Sequence, residues 1–386
     1  MKRFIAPGAT LGVMGGGQLG RMFVHAAQRM GYFTAVLDPD PASPAGLVAS
    51  YHIRSDYLDE QGLAQLMQRC AAITTEFENV PAQALVTLGA HRQVAPSAEA
   101  VAVCQDRAAE KSVFRRCGVA CAPHAVIESP ADVDAIDATL LPGIVKTARL
   151  GYDGKGQLRV RDRAELAAAW NELGSVGCVL EKMLTVVVEV SVIVARDAHG
   201  EMVQFPLQQN RHRAGILAMT QSPAGAVALQ HEAAAVAAAR RLAEAMEYVG
   251  VLCVEFFVLH DGSLVANEMA PRPHNSGHAT IDACDVSQFE LQVRALTGAP
   301  LIAPREHSPS VMLNLLGDLW FTAGDSERTP DWAGVLALPG SHLHLYGKAV
   351  PRRGRKMGHL TLTAATPAQA HATAQQAAQC LGIEAF

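Results

Sequence analysis

The chain has 386 residues, a formal net charge of −5, 49% hydrophobic residues and 18% charged residues. This length exceeds the size at which one hydrophobic core stops growing, so two or three domains are expected. The acidic balance argues against a nucleic-acid partner, and no segment approaches the roughly 20 apolar residues of a membrane helix. The eight cysteines are scattered without CxxC pairs, and we see no secretory signal, so we expect a cytoplasmic protein with reduced thiols.

The first third of the chain has the pattern of a doubly wound α/β sheet. A buried strand over 10–17 ends in glycines, a helix follows over 18–30, and a second strand covers 34–38. A later strand lies within 71–81 and ends in polar residues that include Glu76. Because ligands bind at the carboxyl ends of such strands, Glu76 is a candidate binding residue.

Gly15, Gly17 and Gly20 satisfy GxGxxG, and Asp38 has about the spacing of a ribose-binding acid. Alone, this motif would indicate a nicotinamide dehydrogenase. The motif is weak, however, because the same loop serves any ligand whose phosphate or polar group approaches a helix N-terminus. A tight strand-to-helix turn without a ligand is the third interpretation.

A different pattern begins near residue 100. A helix carrying Arg107 and Lys111 leads to a strand over 143–148, which contains Lys146 near its end, and then to the glycine-rich loop GYDGKGQ at 151–157. The glycines around Asp153 and Lys155 allow backbone amides and a lysine to close over phosphates. The P-loop pattern GxxxxGK[ST] is absent, so ATP would be bound differently, and a solvated loop is the alternative.

The rest of the chain predicts an α+β lobe, a linker and a short C-terminal unit. The predicted elements are strands at 158–160 and 178–181 around a helix at 162–173, a strand at 189–196, helices at 226–248 and 280–297, a linker at 300–309, and short strands followed by a helix that begins at Thr366 and Pro367.

Two strand-like runs, 251–258 and 264–268, are joined through Asp261 and Gly262, a pair that favours a two-residue type I′ hairpin turn. That register places Glu255 directly opposite Glu268. Like charges in this arrangement destabilise a sheet unless something bridges them. Paired carboxylates suit Mg²⁺, whereas the alternative is a hairpin whose two glutamates face water.

Two further polar segments are candidates for substrate binding. The stretch 267–278, NEMAPRPHNSGH, concentrates a carboxylate, amides, an arginine and histidines. The stretch 345–359 carries five basic residues around a glycine and proline turn, although such clusters are usually solvated. One compact basic loop in an acidic chain fits a phosphomonoester, and Arg272 and His274 would complete that pocket.

These segments together resemble the N5-carboxyaminoimidazole ribonucleotide synthases, the ATP-grasp carboxylases of purine biosynthesis. The matching strings run in order along nearly the whole chain: GGGQLGRM (15–22), TEFENVP (75–81), QDR (105–107), VKT (145–147), GYDGKGQ (151–157), HRAGIL (212–217), NEMAPRPHNSGH (267–278), SQFE (287–290) and YGKAVPRRGRKMGH (346–359). The resemblance implies a doubly wound pre-ATP-grasp domain (1–107), a two-lobed ATP-grasp domain (108–300) and a small β-rich C-terminal domain (301–386).

The resemblance also implies residue roles at the nucleotide. The ATP phosphates would be bound by Arg107, Lys146, Gly151, Tyr152, Asp153, Gly154, Lys155, Gly156 and Gln157. The adenine would lie against Glu181, Lys182, Met183 and Leu184, and the remaining nucleotide residues would be Glu189 at the ribose, His212, Asn267 and Glu268. Glu255 and Glu268 would bind magnesium, in agreement with the hairpin.

At the second substrate, 5-aminoimidazole ribonucleotide, the implied residues are Gln18, Leu19, Glu76 and Asn275, with Lys348 and Arg355 on the 5′-phosphate. The residues bordering the carboxylation would be Tyr152, Asp153, Arg272 and His274, and either Asp153 or His274 would accept the proton.

The implied reaction carboxylates the ribonucleotide with ATP and bicarbonate through carboxyphosphate, with two Mg²⁺ ions, in a cytoplasmic homodimer without nucleic-acid or membrane partners. One alternative is another ATP-grasp ligase acting on a phosphoribosyl substrate, such as the formate-using glycinamide ribonucleotide transformylase. A nicotinamide dehydrogenase and a non-catalytic nucleotide-binding module are the alternatives of a different class.

Overall fold

The computed structural model describes residues 4–151, 155–322, 324, 326–384 and 386. The predicted site residues Tyr152, Asp153 and Gly154 therefore lie outside the described residues. The described residues form three sheets: a five-stranded parallel sheet, a four-stranded antiparallel sheet and a nine-stranded antiparallel sheet. Within the described residues, no helix has the length and apolar character needed to cross a membrane.

The N-terminal part is the doubly wound unit that the sequence predicts. Its elements are β1 (Thr10–Met14), α1 (Gln18–Arg29), β2 (Phe33–Leu37), β3 (Tyr51–Ile53), α2 (Glu60–Arg69), β4 (Ala72–Thr75), α3 (Ala82–Gly89), β5 (Gln93–Val94), α4 (Ala98–Cys104) and α5 (Arg107–Arg116). The strand order is β3-β2-β1-β4-β5, with every pair parallel. The order reverses between β1 and β4, and their carboxyl ends lead directly to Gly15 and Glu76.

The second part is a small antiparallel lobe. Its elements are β6 (His124–Ile127), α6 (Pro130–Asp134), β7 (Gly143–Thr147), β8 (Gln157–Val160), α7 (Arg163–Glu172) and β9 (Cys178–Lys182), with strand order β6-β9-β7-β8. Leu166 and Trp170 on α7 pack against Val145 and Leu180 of the sheet in one buried cluster. In this sheet Lys146 of β7 pairs with Val179 of β9 and Ile144 pairs with Glu181, so Lys146 and Glu181 are diagonal neighbours on one face.

The third part is dominated by the nine-stranded sheet. Its elements up to residue 297 are β10 (Val186–Arg196), β11 (Met202–Gln204), β12 (Gln208–Arg213), β13 (Ile216–Ser222), α8 (Ala226–Leu229), α9 (Glu232–Ala245), β14 (Gly250–Leu259), β15 (Leu264–Ala270), α10 (Thr280–Ala283) and α11 (Gln288–Thr297). The two long helices predicted at 226–248 and 280–297 are each divided in two. The second break has a clear cause, because the Ser287 side chain accepts the Glu290 N–H and starts α11 anew.

Helix α11 fixes the N-terminal unit against the central sheet. Phe289 and Val293 share a buried cluster with Leu19 of α1. The buried side chain of Gln292 donates to Thr74 Oγ1 on β4 (2.8 Å) and accepts the N–H of Val251 on β14 (2.6 Å). Buried amides need such partners, so this bridge sets how the carboxyl edge of the first sheet faces the central one.

The β14–β15 hairpin corrects the predicted register. Leu259 N–H donates to the Ser263 carbonyl (2.9 Å) and Gly262 has φ +79°, so the loop has three residues and the predicted two-residue type I′ turn is wrong. The register then shifts at a bulge, where Glu255 lies opposite both Asn267 and Glu268. The bulge absorbs the extra turn residue and keeps the two glutamates together.

The C-terminal part extends the same sheet. Its elements are β16 (Ser310–Leu316), α12 (Trp332–Leu336), β17 (Ser341–Leu345), β18 (Lys356–Thr363) and α13 (Pro367–Leu381). Strand β16 pairs with β13, so the order runs β15-β14-β10-β12-β13-β16-β18-β17, with β11 on β10. Helix α13 begins where the sequence predicts, with the Thr366 side chain accepting the Gln369 N–H. The domain limits at 107 and 300 remain predictions.

Candidate active site

One cavity of about 1020 Å³ lies where the N-terminal sheet edge, the antiparallel lobe and the central sheet meet. Most of the predicted site residues within the described ranges line it: Gln18, Leu19, Glu76, Arg107, Lys146, Gly151, Lys155, Gly156, Gln157, Glu181, Lys182, Met183, Leu184, Glu189, His212, Glu255, Asn267, Glu268, Arg272, His274 and Asn275. Lys348 and Arg355 are not among the lining residues, whereas Glu78, Glu110, His278 and Lys356 are.

A buried cluster of one carboxylate and two ammonium groups forms one wall. Glu181 Oε2 lies 2.7 Å from Lys146 Nζ, and Glu181 Oε1 lies 3.1 Å from Lys111 Nζ. Burial opposes the ionisation of Glu181, but Lys146 and Lys111 outweigh burial and lower its pKa to about 2. Both oxygens of the Glu181 carboxylate therefore contact lysines. If Glu181 binds the adenine as predicted, it has to do so through its backbone. Sequence reasoning placed no role on Lys111.

Arg107 connects helix α5 to the glutamate hairpin. Its guanidinium lies 3.2 Å from Glu268 Oε2, and its backbone N–H donates to the Ala148 carbonyl (2.9 Å). Helix α5 begins here because the Asp106 side chain accepts the N–H groups of Ala108 and Ala109. Burial works against the charge of Arg107, yet Glu268 and Glu110 raise its pKa, so a fixed positive charge faces the cavity.

The pKa values of the two hairpin glutamates are shifted in opposite directions. Burial and the charge of Glu268 raise the pKa of Glu255. Burial also opposes ionisation of Glu268, but Arg107 and Lys146 lower its pKa. The protein's own cations therefore neutralise Glu268 and leave Glu255 uncompensated. Two adjacent carboxylates with the Asn267 side chain beside them form a hard-oxygen donor set, which fits Mg²⁺.

Two histidines complete this end of the cavity. His212 Nδ1 hydrogen-bonds the carboxylate of Glu189, which lies on the neighbouring strand. Burial lowers the basicity of His212, but the surrounding glutamates raise its pKa overall. His274 differs, because burial and then Arg272 lower its pKa well below the ordinary value. Its Nδ1 accepts the Ser276 N–H (3.3 Å), and its Nε2 lies 3.3 Å from Glu255 Oε1.

The glycine loop of the first domain is occupied by carboxylates. Glu76 accepts the N–H groups of Gly17 (2.9 Å) and Gly20 (3.2 Å), and Asp38 accepts that of Gly16 (2.7 Å) and the Tyr57 hydroxyl (2.7 Å). A dinucleotide pyrophosphate would need these amides at the start of α1. The loop therefore positions Glu76, and this geometry argues against the dehydrogenase interpretation.

The opposite wall carries the buried amide of Asn275 and the ion-paired guanidinium of Arg272. Asn275 is buried, and within the described part of the chain neither amide atom of its side chain has a hydrogen-bond partner. Arg272 pairs with Glu78 (2.8 Å) across the boundary with the first domain. Buried unsatisfied amides are costly, so Asn275 indicates a polar ligand.

The basic segment contributes a different residue from those predicted. Lys348 Nζ donates to the Lys356 carbonyl (2.6 Å) and Arg355 Nη1 donates to the Val350 carbonyl (2.8 Å), whereas Lys356 itself lines the cavity. Lys356 is the first residue of β18, and the sequence pattern identified the cluster without distinguishing this position.

Family comparisons match the N-terminal part, then the antiparallel lobe together with the central sheet, and then the C-terminal part. The chain matches a ribonucleotide synthetase preATP-grasp domain over residues 8–105, an ATP-grasp domain over 112–289 and a phosphoribosylaminoimidazole carboxylase C-terminal domain over 310–373. Together with the cavity between the two lobes, these matches define an ATP-grasp enzyme.

Individual relatives show which kind of ATP-grasp enzyme this chain resembles. The N5-carboxyaminoimidazole ribonucleotide synthase of Brucella melitensis is 44% identical over 93% of this chain and 98% of its own length. A Staphylococcus aureus N5-carboxyaminoimidazole synthetase complexed with ADP matches with a TM-score of 0.89, at 38% identity over 98% of each chain. An Aspergillus clavatus structure in complex with ADP and 5-aminoimidazole ribonucleotide matches with a TM-score of 0.87, at 30% identity over 97% of this chain and 98% of that one.

The chain belongs to the N5-carboxyaminoimidazole ribonucleotide synthase family. It is an ATP-dependent ligase of purine biosynthesis that carboxylates 5-aminoimidazole ribonucleotide, with ATP as co-substrate. The transformylase alternative is not favoured.

Proposed function

We propose that this cavity phosphorylates bicarbonate with ATP and transfers the resulting carboxyl group to the exocyclic amine of 5-aminoimidazole ribonucleotide. A bicarbonate oxygen attacks the γ-phosphorus and ADP leaves; the amine then attacks the carboxyl carbon of carboxyphosphate, which releases phosphate and a proton. The observation that carries the proposal is the convergence of Arg107, Lys146, Glu255 and Glu268 in one cavity with Asn275, whose side chain has no hydrogen-bond partner among the described residues.

At the nucleotide end, Lys146 and Arg107 would neutralise the transferred phosphoryl group, and the loop residues Gly151, Lys155, Gly156 and Gln157 border the same space. The N–H groups of Lys182 and Met183 donate to the carbonyls of Pro123 and Pro142. We therefore assign the adenine-binding N–H to Leu184. Glu189, which is hydrogen-bonded to His212, would accept hydrogen bonds from the ribose hydroxyls.

Glu255, Glu268 and Asn267 would hold Mg²⁺, which when bound neutralises phosphate charge. The raised pKa of Glu255 supports this assignment, because the protein supplies it with too little positive charge of its own. Two ions are proposed, since the carboxylates together offer four oxygens and ATP adds its phosphates.

At the ribonucleotide end, we assign Gln18, Leu19, Glu76 and Asn275 to the substrate, as the sequence suggested. For the 5′-phosphate we add Lys356 to Lys348 and Arg355, because Lys356 is the member of the basic cluster that lines the cavity. A phosphomonoester binds most strongly to convergent cations.

The proton released by the amine needs an acceptor. His274 is neutral at physiological pH because burial lowers its pKa, so its imidazole is in the basic form. The lone pair of the neutral ring is on Nδ1, which would take the proton, and Glu255 beside Nε2 would stabilise the imidazolium that forms. Asp153 is the second candidate for the proton acceptor, and Tyr152 and Arg272 would border the reaction.

The family also leads us to propose a cytoplasmic homodimer.

Oxygen-18-labelled bicarbonate tests the carboxyphosphate step. Attack by a bicarbonate oxygen on the γ-phosphorus carries one labelled oxygen into the inorganic phosphate that is released later. Mass spectrometry of the phosphate should show one label per turnover. Unlabelled phosphate formed together with carboxylated product would contradict the proposal.

A further inference from the structure

A second group of metal-ligating side chains lies outside the proposed ATP and magnesium site. His342 and His344 are two residues apart on β17, so they share one face of the strand. His359 on β18 is directly opposite His344, and the two rings stack with centroids 4.4 Å apart at 11°. Three histidines thus occupy one face of two paired strands.

Asp282 on α10 approaches this face from another element. Its Oδ2 lies 2.9 Å from His344 Nε2, and its Oδ1 lies 3.7 Å from His342 Nδ1. Ligand atoms of Asp282, His344 and His359 all lie within 4.8 Å of one another. A bound metal ion needs its ligand atoms closer than this and lies in the plane of each imidazole, so the stacked His344 and His359 rings would have to tilt relative to each other on binding.

The buried ring of His359 points to a ligand independently of the clustering of these side chains. It is fully buried, and among the described residues its Nε2 has no hydrogen-bond partner. Its Nδ1 is held by the Tyr346 hydroxyl at 2.9 Å. A hydrogen bond between Asp282 and His344 explains those two residues but leaves a buried imidazole nitrogen unsatisfied. A metal ligand commonly has this arrangement, with one ring nitrogen oriented by a neighbour and the other available.

We propose that Asp282, His342, His344 and His359 bind one Zn²⁺ ion or a similar borderline transition-metal ion. Asp282, His344 and His359 would give three ligands, and His342, whose Nδ1 lies 3.7 Å from Asp282 Oδ1, would turn inward as the fourth ligand of a tetrahedral zinc site. Imidazole nitrogen selects such metals, whereas Mg²⁺ prefers oxygen ligands, so the site is chemically distinct from Glu255 and Glu268. The partial exposure of His342 and His344 gives the ion a path from solvent.

The consequence of binding would be mechanical. The ion would tie α10, which follows the cavity residue His278, to the C-terminal strands β17 and β18. The His278 ring already lies 4.7 Å from that of His359, centroid to centroid. Metal binding would therefore restrain the wall of the active-site cavity from behind.

Isothermal titration of the chelator-treated protein with Zn²⁺ tests the proposal. The titration contains millimolar Mg²⁺ to fill the oxygen-ligand site. We expect one Zn²⁺ per chain and a rise in unfolding temperature that a chelator reverses. Asp282→Asn and His344→Ala should abolish this binding, and Tyr346→Phe should weaken it roughly 10-fold to 100-fold, as for the loss of an orienting partner.

The control variant is His91→Ala, which removes an exposed histidine elsewhere and should bind Zn²⁺ like the unaltered protein. The His342→Ala variant removes the most exposed of the four ligands and so provides a second variant if His344→Ala folds poorly. No stoichiometric binding, or equal binding by the Asp282, His342 and His344 variants, would overturn the assignment.

Discussion

The Glu181→Gln substitution should destabilise the antiparallel lobe by about 3 kcal/mol at neutral pH. Lys146 and Lys111 hold the pKa of Glu181 at about 2, against an ordinary value of 4.5. Each pKa unit corresponds to about 1.4 kcal/mol, and neutral glutamine resembles protonated glutamate in shape, which gives this magnitude. Breaking a buried ion pair by removing one partner costs about 3–5 kcal/mol in general, which agrees.

The effect should depend on pH in a defined way. The folded-state pKa lies below the ordinary value, so the carboxylate contributes its full stability above about pH 4.5. That contribution is lost as the pH falls from about 4.5 to about 2, where glutamate becomes protonated in the folded protein too. The difference between the two proteins should therefore be largest near neutrality and shrink in acid.

Urea unfolding followed by the fluorescence of Trp170 measures this difference locally. Trp170 belongs to the same buried cluster as the strands of the lobe, and the other two tryptophans, Trp320 and Trp332, lie in the C-terminal part. Replacing those two with phenylalanine in all variants leaves one reporter. This matters because a multidomain chain need not unfold in one step.

Glu165→Gln is the matched control, because Glu165 forms an exposed ion pair with Arg161 on the same lobe. Exposed pairs contribute little, so its urea midpoint should hardly move. A loss below about 1 kcal/mol for Glu181→Gln, or a loss that persists unchanged at pH 3, would show that the two lysines do not stabilise this carboxylate as described.

Three further outcomes are expected. A Cβ on Gly17 would lie 2.5 Å from Glu76 Oε1, so Gly17→Ala should raise KM for the ribonucleotide but not for ATP. The control is Gly89→Ala, whose added Cβ meets no described atom within 4 Å and should change neither KM. Equal increases in both KM values of the Gly17 variant would argue against Glu76 as a substrate residue. Burial and Glu268 raise the pKa of Glu255 to about 7, so the affinity for Mg²⁺ should weaken as the pH falls below 7. Calorimetric titration with Mg²⁺ at several pH values measures this affinity. An affinity that does not change with pH would argue against Glu255 as a ligand. Asp153→Ala should cut ribonucleotide-dependent turnover far more than ATP binding, and equal losses in both would contradict its role.

The sequence predicted the outline of the site because its main signals are local. The β1 and β4 strands, their polar ends and the hairpin with Glu255 and Glu268 follow from short hydrophobic runs and turn residues. The predicted turn type was wrong, but a bulge in the hairpin still places Glu255 beside Glu268 in the same cavity. The family resemblance supplied the rest of the lining.

What the sequence could not give depends on contacts between distant segments. Lys111 becomes a buried partner of Glu181 only when α5 packs against β15, where its ammonium also donates to the Asn267 carbonyl, and nothing near residue 111 signals this. That Lys356 lines the cavity and Lys348 does not depends on where β18 begins. Asp282 on α10 hydrogen-bonds His344 on β17 at 2.9 Å across 62 residues of sequence, and no local pattern signals this contact. Such pairings are set by tertiary packing and not by local propensity.

ADP formation with MgATP, measured with and without 5-aminoimidazole ribonucleotide and with bicarbonate added or rigorously removed, tests the proposed use of bicarbonate most directly. We expect ADP to accumulate only when both the ribonucleotide and bicarbonate are present. ADP formation that ignores bicarbonate but requires formate or another acid would contradict the assignment of the carboxyl donor, although the ATP-grasp fold would stand.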